Sequence, residues 1–225
     1  MREAIAAAAV AAAFALAAPA AAKPPLPDLK ACEQFTREEG DPELQRRGPL
    51  ALPASFKRLA AADMDHIAVL AAAGNTLCLD TRFIEQIAAA KASPDRRFLA
   101  FEWSGYEAYG HFLFDRSGRG QVLETGTAPL TAPAGRRFAA VDLSVSAFGG
   151  LNAFAVWDIE PVGLREVARV FEDLPSGDWR IEGWSGDTCV NISLLPIERG
   201  DQGEPRDPWF AAQSRKWQPR PGSCP

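Results

Sequence analysis

SPDRRFLAFEW, Ser93 to Trp103, is the stretch from which the rest of the chain can be read. Ser-Pro-Asp makes a turn by ordinary side-chain chemistry, because proline presets φ and aspartate bonds to the backbone beyond it. The residues after this turn alternate with the period of a strand. Leu99, Phe101 and Trp103 fall on one side, and Phe98, Ala100 and Glu102 on the other. The same order returns in APAGRRFAAVD, Ala132 to Asp142, and more faintly at Leu52-Pro53 and at Leu174-Pro175-Ser176-Gly177. Pro53, Pro94, Pro133 and Pro175 are 41, 39 and 42 residues apart. A near-constant period of this size predicts repeated supersecondary units. The expected fold is mainly β, a propeller-like array of about four ~40-residue antiparallel units, with a β-sandwich as the alternative.

Agreement within the hairpins strengthens that frame. In the second unit the loop SGYEAYG leads to a strand ending at Asp115, a turn through Gly120, and a return over Gln121–Glu124. In the third unit the loop SVSAFGGLN leads to a strand ending at Asp158, a turn through Gly163, and a return from Leu164. Gly120 and Gly163 each lie five residues beyond their aspartate. The first unit reads as Arg58–Ala61, the loop ADMDH, His66–Leu70, a turn at Ala73–Asn75, and Thr76–Leu79. The fourth reads as Trp179–Trp184, the loop SGD, and Cys189–Leu195. Thr81–Ala92 has partly helical spacing, and its first half is assigned to a strand. The tail PWFAAQSRKWQPRPGSCP carries Trp209 and Trp217 and is expected to complete the sheet of the first unit, closing a ring.

SPDRRFLAF and APAGRRFAA, each leading into a strand that ends in Asp and a Gly turn, resemble the repeats of TolB-type β-propellers. The resemblance extends over Pro53 to Leu195 and is strongest in the two central copies. Arg96 stands where that repeat has glycine and Ala134 where it has aspartate. A repeat of this kind is a structural signature, so its implication for function is protein or ligand binding by analogy.

The rest of the chain bounds the setting. Residues 1–22 have a charged start, an alanine-rich apolar run and the A-x-A site of a secretory signal. Cleavage there leaves 203 residues: a leader over 23–50, then the β domain over 51–225. The expected location is periplasmic or secreted, with no membrane span after the signal is removed. A net charge of −5 with scattered charges makes nucleic acid and anionic lipid poor partners. An envelope protein or a glycan is the expected partner. Four cysteines in an exported chain predict two disulfides. The pairing expected is Cys32–Cys78 and Cys189–Cys224, each pinning an irregular terminal segment to the sheets, with Cys32–Cys224 as the alternative. Metal binding through thiols is not expected without closely spaced cysteine pairs, and no cofactor is implied.

Chemistry, if present, is expected where the loops between first and second strands gather on one face. The candidate ligand-binding residues are Tyr106, Glu107, Tyr109 and His111, with Asp63, Asp65 and Phe148 from neighbouring loops. Aromatic rings beside an acid and an imidazole suit a glycan or a peptide. Asp63-x-Asp65-His66 has oxygen and imidazole donors but too few for a calcium loop. Glu102, Asp115, Asp142 and Asp158 could supply the carboxylate pair of a glycosidase. No catalytic residue is identified, and whether the chain is an enzyme is left open. The expected function is an exported β domain acting as a protein- or ligand-binding module of the cell envelope, with an exported glycan or peptide hydrolase as the alternative.

Overall fold

The turn-and-strand units fold into four separate antiparallel sheets, each an up-and-down meander. The computed structural model describes residues 26–35, 48–143, 150–199 and 205–225. The first sheet contains β1 (Ala60–Ala62), β2 (His66–Leu70) and β3 (Thr76–Asp80). The second is β4 (Gln86–Ala92), β5 (Phe98–Gly105), β6 (Ala108–Asp115) and β7 (Gln121–Glu124). The third is β8 (Leu130–Thr131), β9 (Arg137–Asp142), β10 (Ala153–Glu160) and β11 (Gly163–Val170). The fourth is β12 (Gly177–Ser185), β13 (Cys189–Pro196), β14 (Asp207–Ala212) and β15 (Arg220–Pro221). Helix among the described residues is confined to short 3-10 segments, the longest being Leu29–Phe35. The expected mainly-β fold is therefore present, as four antiparallel sheets of three or four strands, none of them closed into a barrel.

Three cores lie in series between neighbouring sheets. Leu99, Phe101 and Trp103 pack with Phe112 and Phe114 against Ile67, Val69 and Leu79 of the first sheet. The opposite face of the second sheet, with Phe98, Ala100 and Leu113, meets Phe138, Ala140, Ala155 and Trp157 of the third. Ala139, Val141, Phe154 and Val156 then face Trp179, Val190, Ile192 and Leu194 of the fourth. A sheet covered on both faces needs apolar residues at every position, not at alternate ones. That is why Phe154-Ala155-Val156-Trp157 is an unbroken buried run. Among the described residues no such cluster joins the fourth sheet to the first.

The two central turn motifs turn out to be bolts. Arg97 donates from Nε and Nη2 to Asp115, both at 2.9 Å, and reaches across to the carbonyl of Gly163 in the third sheet. Arg137 repeats the pattern one sheet on, bonding Asp158 and reaching the carbonyl of Asp187 in the fourth. On the other side, Arg116 donates to the carbonyl of Leu70 in the first sheet. The β6–β7 turn sits so close to its neighbour that a Cβ at Gly118 would come within 2.7 Å of the Val162 carbonyl. Glycine, with φ of +53° there, solves both the contact and the turn.

These contacts correct the phase of the fourth unit. Asp187, in the β12–β13 turn, accepts from the Ala134 amide in the β8–β9 turn. The β12–β13 turn thus lies at the end of the stack that carries Pro94 and Pro133. Trp184 on β12 donates to the Leu130 carbonyl on β8. β12 accordingly occupies the place of β4 and β8, and Pro175 falls at the opposite end from the two central prolines. The loop SGD does not join SGYEAYG on one face. The tail is the second correction: β14 pairs with β13 and β15 with β14, so it extends the fourth sheet and does not reach the first. The third concerns Thr81–Ala92, where the second half is the strand. Residues 81–85 turn instead, the Ile84 amide bonding back to the Thr81 carbonyl while the Ile84 side chain is fully buried.

Both expected disulfides are present, Cys32–Cys78 and Cys189–Cys224. The first ties the Leu29–Phe35 segment to β3, and the second ties the chain end to the start of β13. No helix among the described residues is long and apolar enough to cross a membrane. The expected signal at 1–22 lies outside the described residues.

Candidate functional site: a cleft between the second and third sheets

The face of β5 that turns toward the third sheet runs Phe98, Ala100, Glu102. Its partners across the β5–β6 ladder are Asp115, Leu113 and His111. Glu102 and His111 are thus direct cross-strand partners on one face, with Cβ atoms roughly 4.5–5.5 Å apart. On the other side, β4 carries a bulge between Ala88 and Lys91, and Ala89 there takes φ of +47°. A bulge re-aims the residues beyond it. Here it brings Lys91 opposite Ala100, beside the Glu102–His111 pair. Ala128 and Pro129, with Thr131 of β8 in the third sheet, supply the facing wall.

The result is a cleft of about 230 Å³. Phe98, Ala100, Leu113, Phe138 and Ile159 form an apolar floor, and Lys91, Glu102 and His111 bring the ionisable groups. Neither the Lys91 nor the Glu102 side chain has a hydrogen bond or an ion pair with the described residues.

His111 is held differently. It is 5% exposed, and its Nδ1 lies 2.7 Å from the Thr125 hydroxyl. That hydroxyl has one proton, and two backbone carbonyls stand ready to accept it, Thr127 at 2.9 Å and His111 at 3.3 Å. Thr125 therefore accepts from Nδ1–H, and the other ring nitrogen, Nε2, carries the lone pair. Burial first, and the Lys91 charge second, push the imidazole down to about 4, so it is neutral at pH 7. The cleft combines one cation, one anion and one neutral acceptor over an apolar floor.

Of the residues singled out in the sequence as ligand-binding, His111 alone lines this cleft. Tyr106 and Glu107 form a two-residue hairpin turn, because most of SGYEAYG belongs to β5 and β6. Tyr109 shares the face of His111 one cross-strand pair further out. Both tyrosines are more than 60% exposed, at 67% and 62%. Asp63 uses Oδ1 to accept the amides of Asp65 and His66 at 2.9 and 2.7 Å, which folds its own turn. Asp65 is exposed, and its carbonyl accepts from the Thr81 amide. Phe148 lies outside the described residues. Lys91 escaped sequence reading because its place depends on the bulge.

The four carboxylates considered for glycoside chemistry do not converge. Asp115 is fully buried and bonded to Arg97 and Ser117, and Asp158 is held by Arg137 and Arg165. Asp142 is 7% exposed against Gly126, where burial raises its pKa despite a bond from the Leu151 amide. One of its oxygens, Oδ2, has no hydrogen-bond partner among the described residues. Only Glu102 opens into the cleft. A larger hollow of about 520 Å³ lies between β7 and β11, but its charges are occupied: Arg169 pairs with Glu166 at 2.8 Å and lies over Trp157. No group of three His, Cys, Asp or Glu residues suited to a metal occurs among the described residues.

No known family model matches this chain, and no curated protein does either. The chemistry of the cleft itself therefore carries the functional reading.

Proposed function

We propose that this protein is an exported binding module of the cell envelope, which holds a small ligand in the cleft between its second and third sheets. The observation that carries the reading is Lys91 and Glu102, two charged side chains without partners among the described residues, beside a neutral imidazole over an apolar floor. Small-molecule sites combine these parts, an apolar surface with a few convergent polar groups. The resemblance of the central turns to TolB-type propeller repeats favours a binding role by analogy. Two disulfides fit an oxidising compartment, in keeping with the secretory signal expected at residues 1–22. The hydrolase reading lacks a second carboxylate in the cleft among the described residues.

Two measurements test this. Expression of the full chain in a bacterium should yield a protein outside the cytoplasm beginning at Lys23; retention in the cytoplasm with residues 1–22 intact would refute export. A fragment screen read by amide chemical shifts should collect its hits at residues 91, 98–102, 111–113 and 128–131. Hits spread over the surface, or none, would refute the cleft as a site.

A further inference from the structure

The chemistry of the cleft narrows the ligand, granted the binding role proposed above. A volume of about 230 Å³ lies below the usual range for drug-sized ligands, which excludes an oligosaccharide or an extended peptide as the enclosed body. The ionisable groups then act as a filter. Lys91 repels a simple amine, and Glu102 repels a simple carboxylate. A neutral apolar molecule would fill the floor but leave both charges unused. A ligand that satisfies all three groups must carry an anion, a hydrogen-bond-donating cation and an apolar body within a few ångströms of one another.

Geometry orders those features. Lys91 is paired with Ala100, and Glu102 is two residues further along the same face of β5. Diagonal neighbours of this kind are roughly 7–8 Å apart at the backbone, within reach of two long side chains bending toward one small ligand. Nε2 of His111 stands beside Glu102 as a second acceptor, since Nδ1–H is committed to Thr125. Two acceptors next to each other suit an ammonium group, which has three donors. The floor of Phe98, Leu113, Phe138 and Ile159 suits a branched or aromatic side chain.

We propose that the cleft binds a free α-amino acid with a large apolar side chain. Its carboxylate meets Lys91, its ammonium group sits between Glu102 and Nε2 of His111, and its side chain lies on the apolar floor. A residue within a peptide lacks one or both of these charges, so the free amino acid is the form recognised.

Calorimetric titration of the oxidised, signal-cleaved protein tests this with five probes: L-phenylalanine, L-leucine, N-acetyl-L-phenylalanine, L-phenylalaninamide and 2-phenylethanol. Phenylalanine or leucine should bind at least tenfold more tightly than the three probes that lack a charge. Glu102→Gln should reduce the preference over the N-acetyl form, and Lys91→Met the preference over the amide. Both side chains are exposed and unpaired among the described residues, so an unchanged melting temperature will certify the fold of each variant. Equal binding of 2-phenylethanol and phenylalanine would overturn the zwitterion while leaving a binding cleft. Absence of binding by all five, with no fragment hits at the cleft, would overturn both readings. Preferences unaltered in both variants would also overturn the assignment.

Discussion

The interface between the second and third sheets contains two neighbourhoods with opposite electrostatics. At the turn end, Asp115 is fully buried and receives bonds from Arg97, from the Ser117 amide and from the Ser117 hydroxyl, while Arg97 spends a further donor on Gly163. In the cleft, Lys91 and Glu102 face the same space without pairing, and His111 is kept neutral beside them. Satisfied charges fix one arrangement of sheets, whereas unsatisfied ones at a wet rim remain available to a third party. One neighbourhood holds the sheets together and the other lets them differ from a solid core.

The largest expected effect breaks the first neighbourhood. Arg97→Met strands a buried carboxylate, which should cost about 3–5 kcal/mol, measured by urea unfolding. Adding Asp115→Leu should recover most of that loss, because no charge is then left without a partner. If the single variant loses less than about 1 kcal/mol, the bolt is ornamental.

Next comes the Cys189→Ser, Cys224→Ser double variant. The bond closes a separation of 35 residues, and chain entropy places its contribution at about 4 kcal/mol before any native strain. The fourth sheet should loosen first, and amide exchange in β13 and β14 should accelerate. Shifts at residues 98–102 should stay unchanged, because the cleft is one interface away. Changes there of equal size would show that the sheets do not behave as separate layers.

A smaller effect belongs to pH. His111 is held at about 4, below its ordinary 6.5, so the unfolded chain binds the extra proton between those values. Its contribution to stability is full above about pH 6.5 and is lost as pH falls toward 4. Asp142, whose pKa is raised by burial, works in the opposite sense above its ordinary 3.8. Comparing melting temperatures of wild type and His111→Asn from pH 7 to 4 isolates the histidine. Parallel curves would mean that folding does not shift the titration of His111.

Smallest of all should be Tyr106→Ala with Tyr109→Ala. Both rings are mostly exposed, so the double variant should move stability by no more than about 0.5 kcal/mol per site. A large loss would place the rings in the packing of the hairpin and blur the distinction between scaffold and surface.

Strand order within each unit was legible because the turn chemistry of Pro94 and Pro133 and the period-2 pattern after them are local. The buried run Phe154–Trp157 was legible as a strand, though its covering on both faces belongs to the stacking of sheets. The Arg97–Asp115 and Arg137–Asp158 bolts were half visible, as a repeated arginine and a repeated closing aspartate. The phase of the fourth unit was hidden, since Pro175-Ser176-Gly177 has turn chemistry at whichever end of the stack it falls. The cleft needed facts that no local window contains: the bulge at Ala88–Lys91, and the approach of residues 128–131 from the next sheet. Aromatic content drew attention to Tyr106 and Tyr109, although a ring on a two-residue hairpin turn and another just beyond it on β6 have little to pack against.

The short terminal strand β15 has a consequence for the molecule among its neighbours. An open stack of sheets presents outer strands whose free amides and carbonyls invite pairing with another chain. β15 is only Arg220–Pro221, and Pro219, Pro221 and Pro225 around it have no amide to donate. A second molecule arriving at this edge finds a ladder with missing rungs and a disulfide, Cys189–Cys224, holding it in place. The fourth sheet thus ends in a segment that discourages the addition of a further strand from a second molecule.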